Sequence, residues 1–163
     1  MGGRGGFHDF KAAAHSGIIL LAGIIRTKVG KQRVSLNEKV SKALEPNYKK
    51  EIIDKTTGRK VTIKVETTNS GNGHIANDIL SYRVIGQRRV HELDRLFKES
   101  TYFDDKIKLH ERDDNRDHFY YFKHPKKKLY FHVARKVEVK NNGRNRYTYE
   151  LYSITKDLGF LNK

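Results

Sequence analysis

Hydrophobic residues recur at helical spacing in three stretches of the chain. In the first, Ser35-Leu36-Asn37-Glu38 has the form of a capping box, and Pro46 ends the apolar pattern that follows. The apolar positions of this predicted helix are Leu36, Val40, Ala43 and Leu44. Two further helices are predicted between His74 and about Ser100, with a break near Gly86.

Alternating apolar and polar residues predict strands in two other parts of the chain. A hairpin is predicted around the turn at 54–58, with the apolar positions Ile52, Ile53, Val61, Ile63 and Val65. Residues 67–73 have the composition of a loop, and the charged stretch 104–117 that of a loop or an edge strand. Three strands are predicted at 117–123, 128–140 and 146–155, with a turn at 141–143. The second half is thus two helices followed by an antiparallel meander.

The strongest apolar run lies at 12–25. It is shorter than the ~20 residues of a membrane-spanning helix, and it contains His15 and Ser16. We expect a buried strand or helix there, with a membrane-active segment as the alternative and no stable membrane span. The first eleven residues lack the order of regions found in a secretory signal.

The charge of the chain narrows the class of its partner. Lys and Arg number 34 against 19 Asp and Glu, which gives a formal net charge of +15. Such an excess favours a polyanion, because neutralising phosphates releases counterions from nucleic acid. An anionic membrane surface or an acidic protein could use the same charge. The lack of cysteine excludes a disulfide framework and thiolate zinc sites.

Strand alternation assigns the candidate side chains of the last two strands to faces. Arg135 falls on an otherwise apolar face, and His132 falls on the opposite one. An arginine in this position is either ion-paired with an acidic residue or directed into a cleft. In a cleft, its planar guanidinium group can donate two parallel hydrogen bonds to phosphate oxygens. On the last strand, one face is predicted to carry Tyr149, Leu151, Ser153 and Thr155, and the other Glu150 and Tyr152.

Histidine, of which the chain has eight, is the obvious acid–base candidate. His74 precedes a predicted helix start, where the helix dipole favours neutral imidazole and free N–H groups attract anions. An ordinary polar residue before a helix is the alternative. His118 and His132 lie in predicted strands, and we expect His91 to be solvated. Four others are expected at the surface: His8, His15, His110 and His124.

Motifs for several other chemistries are missing from the sequence. There is no HExxH zinc motif, no P-loop and no GxSxG elbow, and 113–117 lacks the glycine and distal glutamate of a calcium loop. We therefore expect no metal and no cofactor. The remaining His, Arg, Tyr and hydroxyl residues suffice for metal-free RNA cleavage by the 2′-hydroxyl, which needs a base, a cation and an acid. Such a site would leave DNA intact.

Five motifs follow one another in the second half of the chain: Gly71–Ile75, Val90–Ser100, His118–Lys123, Lys128–Ala134 and Tyr149–Thr155. Their order resembles the barnase–EndoU–colicin–RelE superfamily of small ribonucleases, in particular the C-terminal toxin domains of phage-associated and contact-dependent polymorphic toxins. The resemblance covers roughly half the chain. It implies an α+β fold with N-terminal helices packed on an antiparallel sheet of four or five strands. It leaves 1–70 as an N-terminal segment for delivery or docking and 71–163 as the ribonuclease-like domain.

The resemblance also implies an activity, partners and a site. The activity is metal-independent cleavage of RNA, often tRNA, by an antibacterial toxin in the cytoplasm of a target cell, with a cognate immunity protein as partner. The matching site positions are His74, His132, Arg135, Ser153 and Thr155. Basic residues assigned to RNA binding are Arg88, Arg89, Lys123, Lys126 and Lys136. His132 and Arg135 can converge only if a bulge breaks the regular alternation of the strand.

Two other functions fit the same sequence. A non-catalytic nucleic-acid-binding module of phage or mobile-element origin would stack bases on aromatic residues interleaved with lysine, as in 120–123 and 130–131. Core packing is the alternative for these rings. A DNase or a membrane-active toxin is the third interpretation.

Overall fold

The structure, a computed structural model, describes residues 30–107 and 115–159. The chain divides into two units, Met1–Ser35 and Leu36–Lys163, each taken by itself. Of the first unit, residues 30–35 are described, and they are helical. The element predicted from the apolar run at 12–25 lies outside the described residues.

Three α-helices occur in the described part of the chain. They are α1 at 30–43, α2 at Asn69–Tyr82 and α3 at Leu93–Glu99, and a 3₁₀ helix at Gln87–Glu92 directly precedes α3. The prediction that α1 begins at Ser35 is wrong, because that residue lies inside the helix. Lys31, Gln32 and Arg33 before it are good helix formers and extend the helix upstream.

The start of α2 lies inside the segment predicted to be a loop. Thr68 caps the helix, and its hydroxyl oxygen accepts a hydrogen bond of 2.9 Å from the Gly71 amide. Gly71 lies so close to the last strand that a Cβ atom there would be 2.0 Å from the Leu151 carbonyl oxygen. The glycine that suggested a loop by composition serves close packing of the helix. The loop prediction is therefore wrong from Asn69 onward.

One mixed sheet contains the strands of the described residues. They are β1 (Asn47–Ile53), β2 (Lys60–Glu66), β3 (Thr101–Ile107), β4 (Arg116–Lys123), β5 (Tyr130–Val139) and β6 (Asn145–Thr155). The spatial order is β1-β2-β6-β5-β4-β3, and every neighbouring pair is antiparallel except β2–β6. The predicted α+β class, with helices packed on the sheet, is confirmed. The sheet has six strands instead of four or five, because the predicted hairpin joins it through β2 and β6.

The β1–β2 hairpin belongs to the unit Leu36–Lys163. Residues 36–70 therefore share a sheet and a core with the segment 71–163. A delivery or docking role for 1–70 stays a prediction.

The edge strands β1 and β3 approach each other, so the sheet is curled. Lys50 of β1 donates hydrogen bonds to the carbonyl oxygens of Phe97 at 2.5 Å and of Ser100 at 2.6 Å. After β1, Lys55 Nζ lies 2.6 Å from Asp104 Oδ1 of β3. Burial lowers the pKa of Lys50 to about 8, whereas the carbonyl dipoles around it stabilise the ammonium form.

The core lies between the helices and the inner face of this curled sheet. Phe97 of α3 is at its centre, with ring centroids 4.9 Å from Tyr48, 4.9 Å from Phe131 and 5.9 Å from Phe122. Burying a ring of this kind stabilises the fold by roughly 1.5–3 kcal/mol. The three helices and the strands β5 and β6 contribute further core residues: Val40, Ile75, Ile79, Leu93, Val133, Leu151 and Ile154.

Candidate functional site

α2 lies along the part of β6 that β2 does not reach. The pairing of β2 with β6 ends at Glu66 and Glu150. Beyond that point Asp78 of α2 accepts hydrogen bonds from the Ser153 hydroxyl at 2.8 Å and the Ile154 amide at 3.1 Å. These two hydrogen bonds fix the position of α2 along β6.

This contact brings His74 of α2 to Tyr152 of β6. The Nε2 atom of His74 lies 3.0 Å from the Tyr152 hydroxyl oxygen, and the two ring centroids are 4.4 Å apart. His74 is exposed and Tyr152 is half-buried. An imidazole and a phenol in hydrogen-bond contact at the surface can exchange a proton with each other and with a bound molecule.

Arg116 and Glu150 extend the contact into a cluster. The Arg116 guanidinium lies over the Tyr152 ring, 4.5 Å from its centroid. Its Nε and Nη2 atoms are both 2.8 Å from Glu150 Oε1. Lys136 Nζ lies 3.2 Å from the other oxygen, Glu150 Oε2. We call His74, Arg116, Lys136, Glu150 and Tyr152 the His74 cluster.

Glu150 is the buried carboxylate of the His74 cluster. Glu150 is only 3% exposed, and a buried carboxylate needs cations and hydrogen bonds to be tolerated. Two cationic side chains and the Thr68 hydroxyl, which donates at 3.1 Å, surround it. Arg116 and Lys136 thus place two cationic groups at this surface, and such groups attract an anionic ligand.

A β-bulge at Tyr152 builds this geometry. His132 pairs with Ser153 and Val133 pairs with Leu151, so Tyr152 is an extra residue on β6. Since His132 and Val133 point to opposite faces of β5, Ser153 and Leu151 do too. The prediction that Leu151 shares a face with Ser153 and Thr155 is wrong for this reason.

His132 and Thr155 form a separate pair near the end of the strands. His132 Nε2 lies 2.9 Å from Thr155 Oγ1, and that hydroxyl donates to the Asp157 carbonyl oxygen at 2.9 Å. The hydroxyl proton is thus engaged, so Nε2 carries the hydrogen and donates to Thr155. Burial lowers the pKa of His132 to about 4. The imidazole is therefore neutral at pH 7.

Arg135 lies on the opposite face of the sheet from His132. Its Nε and Nη2 atoms contact Asp117 Oδ1 at 2.9 Å and Oδ2 at 2.8 Å, and its guanidinium lies 4.4 Å from the centroid of the Tyr147 ring. The bulge is on β6 and leaves the alternation along β5 intact, so it does not bring Arg135 to His132. Arg135 is thus ion-paired, the first of its two alternatives, and the second is met in part because it also lines a cleft.

Arg135 lines a cleft of about 700 Å³ at the end of the curled sheet. His118 lies in the same cleft, with Nε2 2.5 Å from Asp105 Oδ2 and its ring stacked 4.6 Å from Tyr120. Asp117 and Asp105, the acidic partners of Arg135 and His118, belong to the protein itself. This cleft is separated from the His74 cluster by the sheet.

The residues assigned to RNA binding are scattered over the surface. Arg89 in the 3₁₀ helix is held by Glu92 at 2.6 Å, and its neighbour Arg88 is exposed. Lys123 and Lys126 are exposed at the far end of β4 and in the loop that follows. Lys136 alone belongs to the His74 cluster.

The remaining described histidines, His91 and His124, differ in exposure. His91 is exposed, as expected. His124, expected at the surface, is 3% exposed, so that prediction is wrong. Its Nε2 atom lies 2.8 Å from Glu99, and its Nδ1 accepts the amides of Lys126 and Lys127 at 3.2 Å each, which fixes the following loop. His8, His15 and His110 lie outside the described residues.

Arg116, Glu150 and Tyr152 were not expected from the sequence as members of a site. A signal was present, because Glu150 is the one acidic residue of β6 and a carboxylate in a strand that packs on a core has to be paired. Tyr152 gave no signal, since the bulge depends on β5 as well as β6.

Within the described residues, no group of three or more His, Asp or Glu side chains is arranged to hold a metal ion. None of the helices in that part of the chain is both long enough and apolar enough to cross a membrane. No protein-family model, curated protein or solved structure matches the chain.

Proposed function

We propose that the protein is a metal-independent endoribonuclease that cleaves RNA by attack of the 2′-hydroxyl, with the His74 cluster as its active site. The observation that carries the proposal is the 3.0 Å contact of His74 Nε2 with the Tyr152 hydroxyl, beside the guanidinium of Arg116. An acid–base side chain, a hydroxyl donor and cationic side chains are the three components that this reaction needs.

His74 is the general base of the proposed reaction, and Tyr152 is the general acid. The Nε2 atom of His74 takes the proton of the 2′-hydroxyl while the 2′-oxygen bonds to phosphorus. The bond from phosphorus to the 5′-oxygen breaks, and the Tyr152 hydroxyl supplies the proton to that oxygen. The products are a 2′,3′-cyclic phosphate and a 5′-hydroxyl. His74 then returns its proton to the Tyr152 oxygen through their hydrogen bond.

Arg116 and Lys136 stabilise the transition state in this proposal. Negative charge accumulates on the oxygens of the pentacoordinate phosphorus, and cations held in place beforehand stabilise it without reorganisation. Glu150 holds both cations at the surface of the sheet. It accepts from both and acts by positioning them.

The further parts of the proposal rest on the resemblance of the chain to toxin ribonucleases. They are tRNA as a substrate, action in the cytoplasm of a target cell after delivery, and a cognate immunity protein that blocks the enzyme. The net charge of +15 supports a nucleic acid as the substrate and an acidic surface on the immunity protein.

The test is to incubate the purified protein with total RNA in excess EDTA and to determine the chemistry of the product ends. We expect cleavage that leaves 2′,3′-cyclic phosphate and 5′-hydroxyl ends. Single-stranded DNA of matching sequence should stay intact, because it has no 2′-hydroxyl. Intact RNA, or cleavage only after a metal ion is added, would contradict the proposal.

A second candidate function is a non-catalytic nucleic-acid-binding module. Lys123, which lies 5.7 Å from the centroid of the half-exposed Phe103 ring, favours it. RNA that binds in a salt-dependent manner and is recovered uncut in the same assay would support this function.

A further inference from the structure

A lysine and two aromatic rings form a second cluster, at the end of the sheet away from the His74 cluster. The ring centroids of Phe103 and Tyr130 are 5.5 Å apart, with an angle of 72° between the ring planes. Lys123 Nζ lies 5.7 Å from the first centroid and 6.0 Å from the second. We call these three residues the aromatic platform.

A β-bulge directs Phe103 outward. The register of β3 with β4 shifts between Tyr102 and Asp104, so Phe103 is an extra residue at the edge strand. Its side chain is 48% exposed. The ring contacts Tyr130, which shares a face of β5 with Lys136 of the His74 cluster. The bulge therefore adds an exposed ring to the face that carries the proposed active site.

Positive charge surrounds the aromatic platform. Lys126 and Lys128 are exposed on the loop after β4. His124 keeps this loop in place, because its ring accepts the amides of Lys126 and Lys127. None of the ion pairs among residues 30–107 and 115–159 includes Lys123, Lys126 or Lys128. These three ammonium groups can therefore bind an external anion.

We propose that the aromatic platform stacks a nucleobase of single-stranded RNA on Phe103, while Lys126 and Lys128 bind the adjoining phosphates. This inference rests on the proposed function and names the class of its substrate. A nucleobase offers a flat face to an exposed ring, and stacking of this kind tolerates any base. Bases within a duplex already stack on one another, so the platform selects an unpaired strand.

The spacing of the two clusters sets a minimum substrate length. Tyr130 and Lys136 are six residues apart on β5, which corresponds to about 20 Å at ~3.3 Å per residue. A stacked strand rises ~3.4 Å per nucleotide, so a strand of about six nucleotides is needed to bridge the aromatic platform and Lys136. A dinucleotide bound at the platform does not reach Lys136.

Binding is tested with single-stranded DNA of about ten nucleotides, which has no 2′-hydroxyl and so reports binding without cleavage. We expect the Phe103→Ala variant to bind roughly tenfold more weakly than the unchanged protein. Phe103→Trp keeps a ring and should bind as the unchanged protein does. Tyr82→Ala removes a ring that is 70% exposed at the end of α2, and it serves as the matched control.

The outcomes separate this inference from the proposed function. Equal binding by Phe103→Ala and the unchanged protein overturns the aromatic platform, whatever the cleavage assay shows. The same loss of binding with duplex DNA overturns its selectivity for single strands. If RNA stays uncut in EDTA while binding still depends on Phe103, the platform stands and the ribonuclease proposal fails.

Discussion

The carboxylate of Asp78 on α2 accepts a hydrogen bond from the Ser153 hydroxyl on β6 at 2.8 Å. This contact joins the helix that carries His74 to the strand that carries Tyr152. Burial raises the pKa of Asp78, and its hydrogen bonds oppose that effect because they stabilise the carboxylate. The hydroxyl of Ser153 is thus engaged in positioning two elements of the candidate site.

Asp78→Ala should destabilise the fold, because it leaves the buried amide of Ile154 without its acceptor. We expect a loss of about 1–3 kcal/mol in the free energy of unfolding, measured by urea denaturation. Ser153→Ala removes only the hydroxyl contact, and its expected cost is about 1 kcal/mol. Equal stability of Asp78→Ala and the unchanged protein would show that the contact does not hold α2 to β6.

His74→Ala should reduce RNA cleavage by about 10²–10⁴-fold, the usual contribution of a general acid or base. Tyr152→Phe keeps the ring under Arg116 and removes only the hydroxyl, and we expect a loss of similar size. Initial rates on RNA in EDTA measure both effects. The matched control is His91→Ala, since His91 is exposed in the 3₁₀ helix. If His91→Ala loses as much activity as His74→Ala, the assignment of the base is wrong.

Gly71→Ala should be strongly destabilising although alanine is the better helix former. Its Cβ atom would lie 2.0 Å from the Leu151 carbonyl oxygen, so the helix and the strand would have to move apart. We expect a cost of at least about 2 kcal/mol, seen as a lower melting temperature. Gly86→Ala is the control, because nothing lies within 4 Å of its Cβ position. Equal melting temperatures for the two variants would rule out the close approach.

His132 should make the fold sensitive to acid. Burial lowers its pKa from 6.5 to about 4 in the folded state. Between these two values the unfolded chain binds a proton that the folded chain does not, so stability falls as the pH falls. From pH 7 to pH 5 the expected loss from this group is about 2 kcal/mol.

The variant His132→Gln, which cannot titrate, should lose correspondingly less stability over the same interval. His91→Gln is the matched control at an exposed histidine, and it should follow the unchanged protein. Urea denaturation at the two pH values gives the comparison. Identical pH dependence of His132→Gln and the unchanged protein would disprove a neutral, buried imidazole.

Local pattern was enough to predict most elements of this fold. Alternation predicted β5, β6 and the hairpin, and aromatic residues predicted β4. Burial alternates in β1 and at the end of β2, whereas β4 and β5 bury consecutive residues. The β1–β2 register, from Asn47 with Glu66 to Ile53 with Lys60, closes on the connection 54–59, which contains the predicted turn. The parallel pairing of β2 with β6 could not be predicted from local sequence pattern, because it joins residues more than eighty positions apart.

The candidate site shows the same division. The sequence alone determined that His74 is an acid–base candidate, that Lys136 is a basic strand residue, and that the chain carries a net charge of +15. The prediction that His74 precedes a helix start was wrong, because α2 begins at Asn69 and His74 lies inside it, past the first turn with its free N–H groups. Tertiary structure decided which residues meet. The extra residue in β6 turns Tyr152 toward His74. The close approach of Gly71 to Leu151 sets the distance between α2 and β6. Bulges and helix–strand distances depend on the partner element as much as on the residue itself, so no local pattern contains them.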